Sequence, residues 1–166
     1  GKEASGTGCM KLMMNGAVTM GTLDGANVEI VDAVGKENAY IFGLNTREVD
    51  ELWRNGYKAR DYYHRSQSLK GVIDRLYRPI AGQDFSHIAD YLINGGYGIA
   101  DPFMCLADFE SYTHTYRRAM RDYANREKWA SMSLMNTATS GVFASDNSIR
   151  NYAENIWHAT PINKIK

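Results

Sequence analysis

A lysine that follows a glycine-rich turn near the start of the chain can help to bind an anion. The turn is Gly6-Thr7-Gly8, and the apolar run over 10–14 predicts a helix that begins there. A helix start offers unpaired backbone N–H groups and the positive end of the helix dipole, which suit a phosphate group. Lys11 lies one turn further on. Because helical side chains lean toward the N-terminus, we expect its amine to point back toward the glycines.

General motifs leave the ligand of this turn open. A dinucleotide fingerprint requires glycine at the position of Lys11, and a P-loop requires Gly-Lys-Ser/Thr after a longer loop. The alternative is a glycine turn that only starts a helix, with Lys11 on a solvated face. The residues of the turn by themselves favour neither interpretation.

Further motifs accompany this turn along the chain. The first group is Glu3-Ala4-Ser5-Gly6-Thr7-Gly8-Cys9-Met10-Lys11, Asn15-Gly16-Ala17 and Gly21-Thr22-Leu23-Asp24-Gly25-Ala26-Asn27-Val28-Glu29. Together these motifs resemble the pyridoxal-phosphate site of the α-glucan phosphorylases, the family of the glycogen, starch and maltodextrin phosphorylases. A second group resembles the C-terminal region of the same family: Ile41-Phe42-Gly43, Ala107-Asp108-Phe109-Glu110-Ser111-Tyr112, Ser140-Gly141-x-Phe143-x-Ser145-Asp146, Ile149-Arg150 and Tyr152-Ala153-Glu154-x-Ile156-Trp157. One residue departs from the pattern, because Cys9 stands where family members usually have asparagine.

The resemblance implies a reaction and a set of site residues. Members of the family cleave the non-reducing ends of α-1,4-glucans with inorganic phosphate and release α-D-glucose 1-phosphate with retention. Lys11 would be the catalytic lysine that carries pyridoxal 5′-phosphate, with the cofactor phosphate acting as the proton shuttle. The N–H groups of Thr7 and Gly8 would bind that phosphate. Three residues would hold glucose hydroxyls: Glu3, Ser5 and Gly6.

The resemblance also implies an α/β fold. The chain would be the C-terminal part of the Rossmann-like domain of a two-domain glycosyltransferase (GT-B) fold. Residues 1–45 would form the cofactor motif and a βαβ unit, and residues 46–166 a mainly helical remainder with a C-terminal crossing helix. The chain lacks an initiating Met, and only two residues precede Glu3 where a buried strand is expected. We therefore expect a fragment that lacks the N-terminal part of its enzyme, is inactive alone and comes from a homodimeric parent.

Two β-compatible runs flank one predicted helix in the first part of the chain. The runs cover 17–22 and 39–44, and the helix covers 27–34 and ends at Gly35. A strand, a helix and a second strand form a βαβ unit, whose strands are expected to be parallel neighbours. With so few strands, an exposed sheet edge would favour either an oligomer or loose order in the first thirty or so residues.

Helical periodicity dominates from Thr46 onward. Thr46 is predicted to cap a helix that stops at Asn55-Gly56. Further helices are predicted over 69–77 and 85–92, after Asp108, around 129–136, and after a cap at Ser145 or Asp146. The long helix after Asp108 carries large side chains that we expect in a core: Phe109, Tyr112, Tyr116, Met120 and Tyr123. The last helix carries an apolar stripe: Ile149, Tyr152, Ala153, Ile156 and Trp157.

Composition excludes several classes of partner. The chain has 19 Lys and Arg residues against 19 Asp and Glu residues, so no charge excess favours nucleic acid. No apolar run reaches the roughly 18 residues that a membrane-spanning helix needs, and no signal-peptide pattern is present. Cys9 and Cys105 lack metal-type spacing, which predicts two reduced thiols in a cytoplasmic protein.

Other candidate sites have simple structural interpretations. The four histidines are scattered singly, so we expect no metal site: His64, His87, His114 and His158. Asp24 and Glu29 lie five residues apart and can be interpreted as paired carboxylates, but a helix cap at Asp24 or Asn27 is the simpler interpretation. The cluster of Arg117, Arg118 and Arg121 is expected on the solvated face of its helix.

Two functions from other classes stay open at this point. A sugar-nucleotide glycosyltransferase would use the glycine turn for a diphosphate, and it predicts no cofactor on Lys11. A non-catalytic helical interaction module would use the later helices, and it predicts no anion at Thr7 and Gly8.

Overall fold

The computed structural model describes residues 5–96 and 98–160 of a mainly helical α/β chain. The α-helices, in chain order, are α1 (Thr7–Met14), α2 (Ala26–Val34), α3 (Thr46–Arg54), α4 (Ala59–Arg65), α5 (Gln67–Leu76), α6 (Ser86–Asn94), α7 (Cys105–Ala124), α8 (Arg126–Thr139) and α9 (Ser145–Asn151). Short 3-10 turns cover Lys36–Asn38 and Ser140–Phe143, and a π-helical turn covers Tyr152–Ile156. The two strands are β1 (Met20–Gly21) and β2 (Tyr40–Ile41).

The βαβ unit is confirmed, with strands shorter than predicted. The strands run parallel, because the Tyr40 N–H donates to the Thr19 carbonyl at 2.9 Å and the Phe42 N–H donates to the Gly21 carbonyl at 3.1 Å. Neighbouring backbone groups bond elsewhere, which explains why the runs 17–22 and 39–44 shorten. The Ala17 N–H donates to the Leu12 carbonyl at 3.0 Å, so that end of the first run belongs to the end of α1.

The chain divides into two compact units. The first, which we call the helical unit, comprises Gly21–Asp24 and Ile41–Arg121. Its core joins α4, α5, α6 and α7 through five buried apolar residues: Ala59, Leu69, Ile73, Ala89 and Leu106. Leu69, Ile73 and Ala89 lie in the apolar stripes that the sequence periodicity predicted, whereas Ala59 and Leu106 were not predicted as core residues.

A buried aspartate organises the start of α7 in the helical unit. The Asp101 carboxylate is fully buried and accepts hydrogen bonds from the N–H groups of Cys105 and Leu106, both at 2.8 Å. The Tyr57 hydroxyl donates to the same carboxylate at 2.7 Å. Burial and this hydrogen bond raise the pKa of Tyr57 well above its usual range. Three donors thus satisfy a carboxylate that would otherwise be costly to bury.

The end of β2 is tied to α7 inside the helical unit. The Leu44 N–H donates to Asp108 at 2.8 Å, and the Gly43 N–H donates to the Ser111 hydroxyl at 2.9 Å. Gly43 has a φ of 76°, and a Cβ there would lie 2.6 Å from the Asp108 carboxyl carbon. Burial raises the pKa of Asp108, and the Leu44 hydrogen bond opposes that shift.

The second unit, which we call the lysine unit, comprises Gly25–Tyr40 together with the described residues up to Met20 and from Asp122 onward. Its buried apolar residues come from α1, α2 and α8 and include Met13, Ile30, Val31, Val34 and Met132. Gly16 allows α1 to approach α8 closely, because a Cβ there would lie 2.6 Å from the Ser133 hydroxyl oxygen. The lysine unit therefore holds α1 between two other helices.

Several predicted helix ends need correction. The helix after β2 is capped by Asn45 and not by Thr46, because the Asn45 side chain accepts from the Glu48 N–H and Glu48 accepts from the Asn45 N–H. The last helix begins after Ala144 with no side-chain cap, so the predicted caps at Ser145 and Asp146 were wrong. The long helix begins at Cys105, before Asp108, and α4 was not predicted.

The prediction that the large side chains of α7 fill a core was wrong for most of them. Phe109 packs against the core of the helical unit, but four of the others remain well exposed: Tyr112 (39%), Tyr116 (43%), Met120 (48%) and Tyr123 (42%). The buried positions of α7 are Leu106, Thr115 and Ala119. Leu106 and Thr115 are nine residues apart and therefore lie on opposite sides of the helix, with the aromatic positions between them. The Tyr112 ring meets the Phe42 ring edge-on, with 5.2 Å between the ring centroids.

The apolar stripe at the end of the chain is present and exposed. Ile149, Ile156 and Trp157 have exposed fractions of 56%, 61% and 61%. The predicted single helix is divided into α9 and the π-helical turn. No helix among the described residues is both long and apolar enough to span a membrane.

Candidate anion-binding and cofactor-binding site

Gly6 begins α1 in a conformation that leaves the helix start uncapped. It is buried and left-handed, with φ 63° and ψ 11°, and no side chain caps the helix. The first hydrogen bond of the helix runs from the Met10 N–H to the Gly6 carbonyl at 3.2 Å. The N–H groups of Thr7, Gly8 and Cys9 therefore have no acceptor within the helix, and they point toward its N-terminal end. This is the arrangement that binds anions at helix starts.

A groove along α1 contains the Lys11 side chain. It has a volume of about 340 Å³, within the range typical of small-molecule sites. Its walls are Thr7, Met10, Lys11, Met14, Ser140, Gly141, Phe143 and Ala144. Lys11 is exposed, and no described residue forms an ion pair or hydrogen bond with its ammonium group. The groove thus combines an available amine with apolar walls from Met10, Met14 and Phe143.

The structure brings some of the predicted site residues together. Thr7 and Lys11 lie on one face of α1 and both line the groove. Gly8 lies in the first turn, where a Cβ would meet no atom within 4 Å, so its backbone is open to a ligand. The Ser5 hydroxyl lies 3.4 Å from the Thr7 hydroxyl. Glu3 lies outside the described residues, and the roles of all six residues stay predictions.

One wall of the groove was not anticipated from the sequence. Ser140, Gly141, Phe143 and Ala144 approach α1 from more than a hundred residues further along the chain. Their sequence signal is the Ser140-Gly141-x-Phe143 motif, which carried the family resemblance but no assigned role. Spacing within α1 contains no information about such a distant partner.

The competing sites behave as simple structural features. The described residues contain no group of three or more His, Cys, Asp or Glu side chains that could hold a metal ion. Gly25, and not Asp24 or Asn27, occupies the N-cap position of α2, which has no side-chain cap. The Asp24 carboxylate instead accepts from the Thr22 hydroxyl at 2.8 Å. The three arginines of α7 are exposed, as predicted for a solvated face.

Comparison with known proteins places the whole motif pattern in one family. Residues 1–159 match the family model described as carbohydrate phosphorylase. The chain is 43% identical over 162 residues to a glycogen phosphorylase of Synechocystis sp., covering 98% of this chain and 19% of the relative. It is 42% identical over 165 residues to the muscle form of glycogen phosphorylase from Homo sapiens, covering 97% of this chain and 19% of the relative.

A glycogen phosphorylase of Bacillus subtilis gives a similar result, with 43% identity over 165 residues, 97% of this chain and 20% of the relative. The chain thus spans about a fifth of the length of these curated relatives. The matched residues include both the glycine turn before Lys11 and the Ser140-Gly141-x-Phe143 wall that faces it. With a family model matched over 159 consecutive residues, this chain belongs to the carbohydrate phosphorylase family.

Proposed function

We propose that this chain is the cofactor-lysine part of an α-1,4-glucan phosphorylase. The enzyme would cleave non-reducing glucan ends with inorganic phosphate and release α-D-glucose 1-phosphate with retention. The observation that carries the proposal is Lys11 in an apolar-walled groove, one turn after an uncapped glycine helix start. The names of the relatives, which are glycogen phosphorylases, support the same assignment.

The described residues fit pyridoxal 5′-phosphate. The Lys11 amine is unpaired among them, and lysine is the side chain to which this cofactor is attached. The N–H groups of Thr7 and Gly8 suit its phosphate, because they lack helix acceptors and lie at the positive end of α1. Met10, Met14 and Phe143 supply apolar surface for its ring. When bound, the cofactor would supply a phosphate group that exchanges a proton with the substrate phosphate.

The residues before α1 would contact the sugar. Ser5 is exposed, so its hydroxyl can bond to a glucose hydroxyl. Gly6 is buried, and its assignment to the sugar rests on the family resemblance. Glu3 would accept from a sugar hydroxyl, as carboxylates do in carbohydrate recognition. These contacts would orient the glucose residue next to the phosphate that Thr7 and Gly8 help to hold. Orientation of this kind is a large part of the catalytic effect in phosphoryl and glycosyl transfer.

The finer architecture belongs to the same proposal. Residues 1–45 would contribute the cofactor motif and βαβ unit to a Rossmann-like domain of a GT-B fold, with residues 46–166 as its helical remainder. The parallel order of β1 and β2 around α2 supports this assignment. The parent enzyme would act as a homodimer in the cytoplasm, as the family resemblance implies.

The experiment is a phosphorolysis assay on the full-length protein that contains this chain. With maltoheptaose and inorganic phosphate, we expect release of glucose 1-phosphate that depends on phosphate and is lost in Lys11→Ala. Lys36→Ala is the matched control, because Lys36 is an exposed lysine of the same unit, away from the groove. It should keep full activity.

The isolated 166-residue chain is expected to release no glucose 1-phosphate above its Lys11→Ala variant. Lys11 is the one cationic residue among the described residues that line the groove, and bringing two phosphate groups together needs more positive charge. Phosphate-independent transfer from a sugar nucleotide by the full-length protein would instead favour the glycosyltransferase alternative. Absence of both activities would favour a helical interaction module.

A further inference from the structure

The starts of α1 and α2 meet within the lysine unit. Gly6, the residue before α1, is buried against Ala26, the first residue of α2. A Cβ built at Gly6 would overlap the Ala26 Cβ and would lie 3.6 Å from the Ala26 Cα. The Ala26 methyl group therefore occupies the space that a side chain at Gly6 would need.

This contact is specific to Gly6 among the glycines of the two helix starts. A Cβ at Gly8 or at Gly25 would meet no atom within 4 Å. Gly25 is needed for a different reason, because its φ of 51° and ψ of −140° suit glycine far better than other residues. Its conformation turns the chain so that Ala26 begins α2 directly against Gly6.

The position of Gly6 controls the direction of the anion-binding N–H groups. Gly6 supplies the first carbonyl of α1, and the Thr7 and Gly8 N–H groups follow it directly in the chain. Neither α1 nor α2 has a side-chain cap to fix its first turn. Packing between Gly6 and Ala26 is thus one contact that fixes that turn.

Burial of one face of α2 fixes the position of its first residue, Ala26. Ile30, Val31 and Val34 are buried and hold the helix in the core of the lysine unit. A rigid helix places its first residue more accurately than a loop would, and accurate placement of donors is what an anion site requires.

We propose that Ala26 is a positioning residue for the cofactor site, which acts by setting Gly6 and hence the Thr7 and Gly8 N–H groups. The inference rests on the proposed function, because it assigns these N–H groups to a phosphate. It also explains why the Gly25-Ala26 pair accompanies the Gly6-Thr7-Gly8 turn in one motif pattern: each helix start shapes the other.

The test is a rescue experiment on the full-length protein that contains this chain. Borohydride traps pyridoxal 5′-phosphate on Lys11, and the labelled fraction is measured against cofactor concentration. Gly6→Ala should raise the concentration for half-labelling by about tenfold or more, the loss expected when donors move off an anion. Adding Ala26→Gly should recover the part of that loss that comes from the overlap with the Ala26 methyl group, while the left-handed φ of 63° at Gly6 keeps the rest. Ala33→Gly, a glycine substitution elsewhere in α2, is the matched control and should recover none.

Urea unfolding of the same variants separates positioning from stability. Ala26→Gly and Ala33→Gly both lower helix propensity, so restored labelling in the first double variant alone supports the proposal. Rescue of labelling at unchanged stability is a result that a merely structural contact would not produce. Equal labelling of Gly6→Ala and the wild type, or no rescue by Ala26→Gly, would overturn this inference and leave the proposed function standing. Absence of label on Lys11 in the wild-type full-length protein would overturn both.

Discussion

Gly8 lies in the first turn of α1 with open space where a Cβ would stand. Its φ is not in the left-handed region, so the fold itself does not require glycine there. Alanine is the better helix former, so glycine at this position needs a reason other than helix stability. We attribute it to the close approach of a ligand to the backbone.

Gly8→Ala should therefore separate stability from binding. We expect the free energy of unfolding to stay equal or to rise by about 0.5 kcal/mol, because alanine favours the helix. We expect trapping of pyridoxal 5′-phosphate on Lys11 to fall by about tenfold or more, because the new methyl group would stand in front of the N–H groups.

The matched control for Gly8→Ala is Gly71→Ala in α5. Gly71 also has no atom within 4 Å of a built Cβ and no positive φ, but it lies away from the groove. It should gain stability and leave trapping unchanged. Unaltered trapping in Gly8→Ala would show that no ligand approaches this backbone.

The two cysteines should differ in reactivity. Burial, followed by the charge of the nearby Asp101, raises the pKa of the Cys105 thiol. Cys105 is therefore mostly protonated near neutral pH and reacts slowly. Cys9 lies half-buried in the first turn of α1.

Iodoacetamide at pH 7.5 should alkylate Cys9 several-fold faster than Cys105 in the folded chain, as followed by peptide mass spectrometry. In urea the two rates should converge, because the folded environment causes the difference. Cys9→Ser and Cys105→Ser assign each rate to its thiol. Equal rates in the folded chain would contradict the prediction.

At the residue scale, the sequence predicted much of the site. The spacing of Thr7 and Lys11 predicted one shared helix face, and both line the groove. The contact of Ala26 with Gly6 and the wall formed by Phe143 were not predictable, because local spacing contains no information about distant partners. The uncapped start of α2 was also missed, because Asp24 has the side chain of a helix cap but bonds to Thr22.

At the scale of elements, the start of α7 depends on one buried side chain. Asp101 has a φ of 46° and Met104 a φ of 54°, so the loop before α7 uses two left-handed residues. Three hydrogen bonds to the Asp101 carboxylate hold this loop against α7 and Tyr57. Asp101, four residues before the first residue of α7, consequently fixes where this helix begins.

Asp101→Ala should destabilise the chain by about 3 kcal/mol or more, since two buried N–H groups and a tyrosine hydroxyl lose their acceptor. Asp101→Asn should cost less, because the amide oxygen still accepts and asparagine tolerates a positive φ. Urea unfolding measures both. The matched control is Asp50→Ala on exposed α3, expected within about 0.5 kcal/mol of the wild type. A cost for Asp101→Ala equal to that of the control would contradict the assigned role.

Periodicity predicted the existence of most helices and failed mainly at their ends. The stripes of α5 and α6 contain Leu69, Ile73 and Ala89, which fill the core of the helical unit. The lengths of both strands were overestimated, because residues at their predicted ends bond outside the sheet. The Ala17 N–H donates to the Leu12 carbonyl of α1, and the Leu44 N–H donates to the Asp108 carboxylate. The large side chains of α7 were assigned to the core although most of them are exposed. The size of a side chain alone does not distinguish a buried helix position from an exposed one.

At the scale of the whole molecule, Lys11 belongs to a chain of the carbohydrate phosphorylase family. The family model covers residues 1–159, and the chain spans about a fifth of the length of its curated relatives. Exposed apolar residues at the end of the chain, including Ile156 and Trp157, are consistent with further contacts in a larger enzyme. The two-unit organisation was not predictable, because each unit combines segments that are distant in sequence.

Mass spectrometry tests most directly whether Lys11 carries the cofactor, because it locates the labelled lysine in the sequence. The full-length protein that contains this chain is incubated with pyridoxal 5′-phosphate, reduced with borohydride and digested with trypsin. Trypsin cleaves after unmodified Lys11, which separates residues 3–11 from residues 12–36. We predict a pyridoxyl group on Lys11, and therefore an uncleaved peptide of residues 3–36 that carries the added mass of this group. Lys11→Ala, which also removes the cleavage site, should give the peptide of residues 3–36 without the added mass. A label on Lys2 or Lys36 in its place, or on no lysine, would contradict the account.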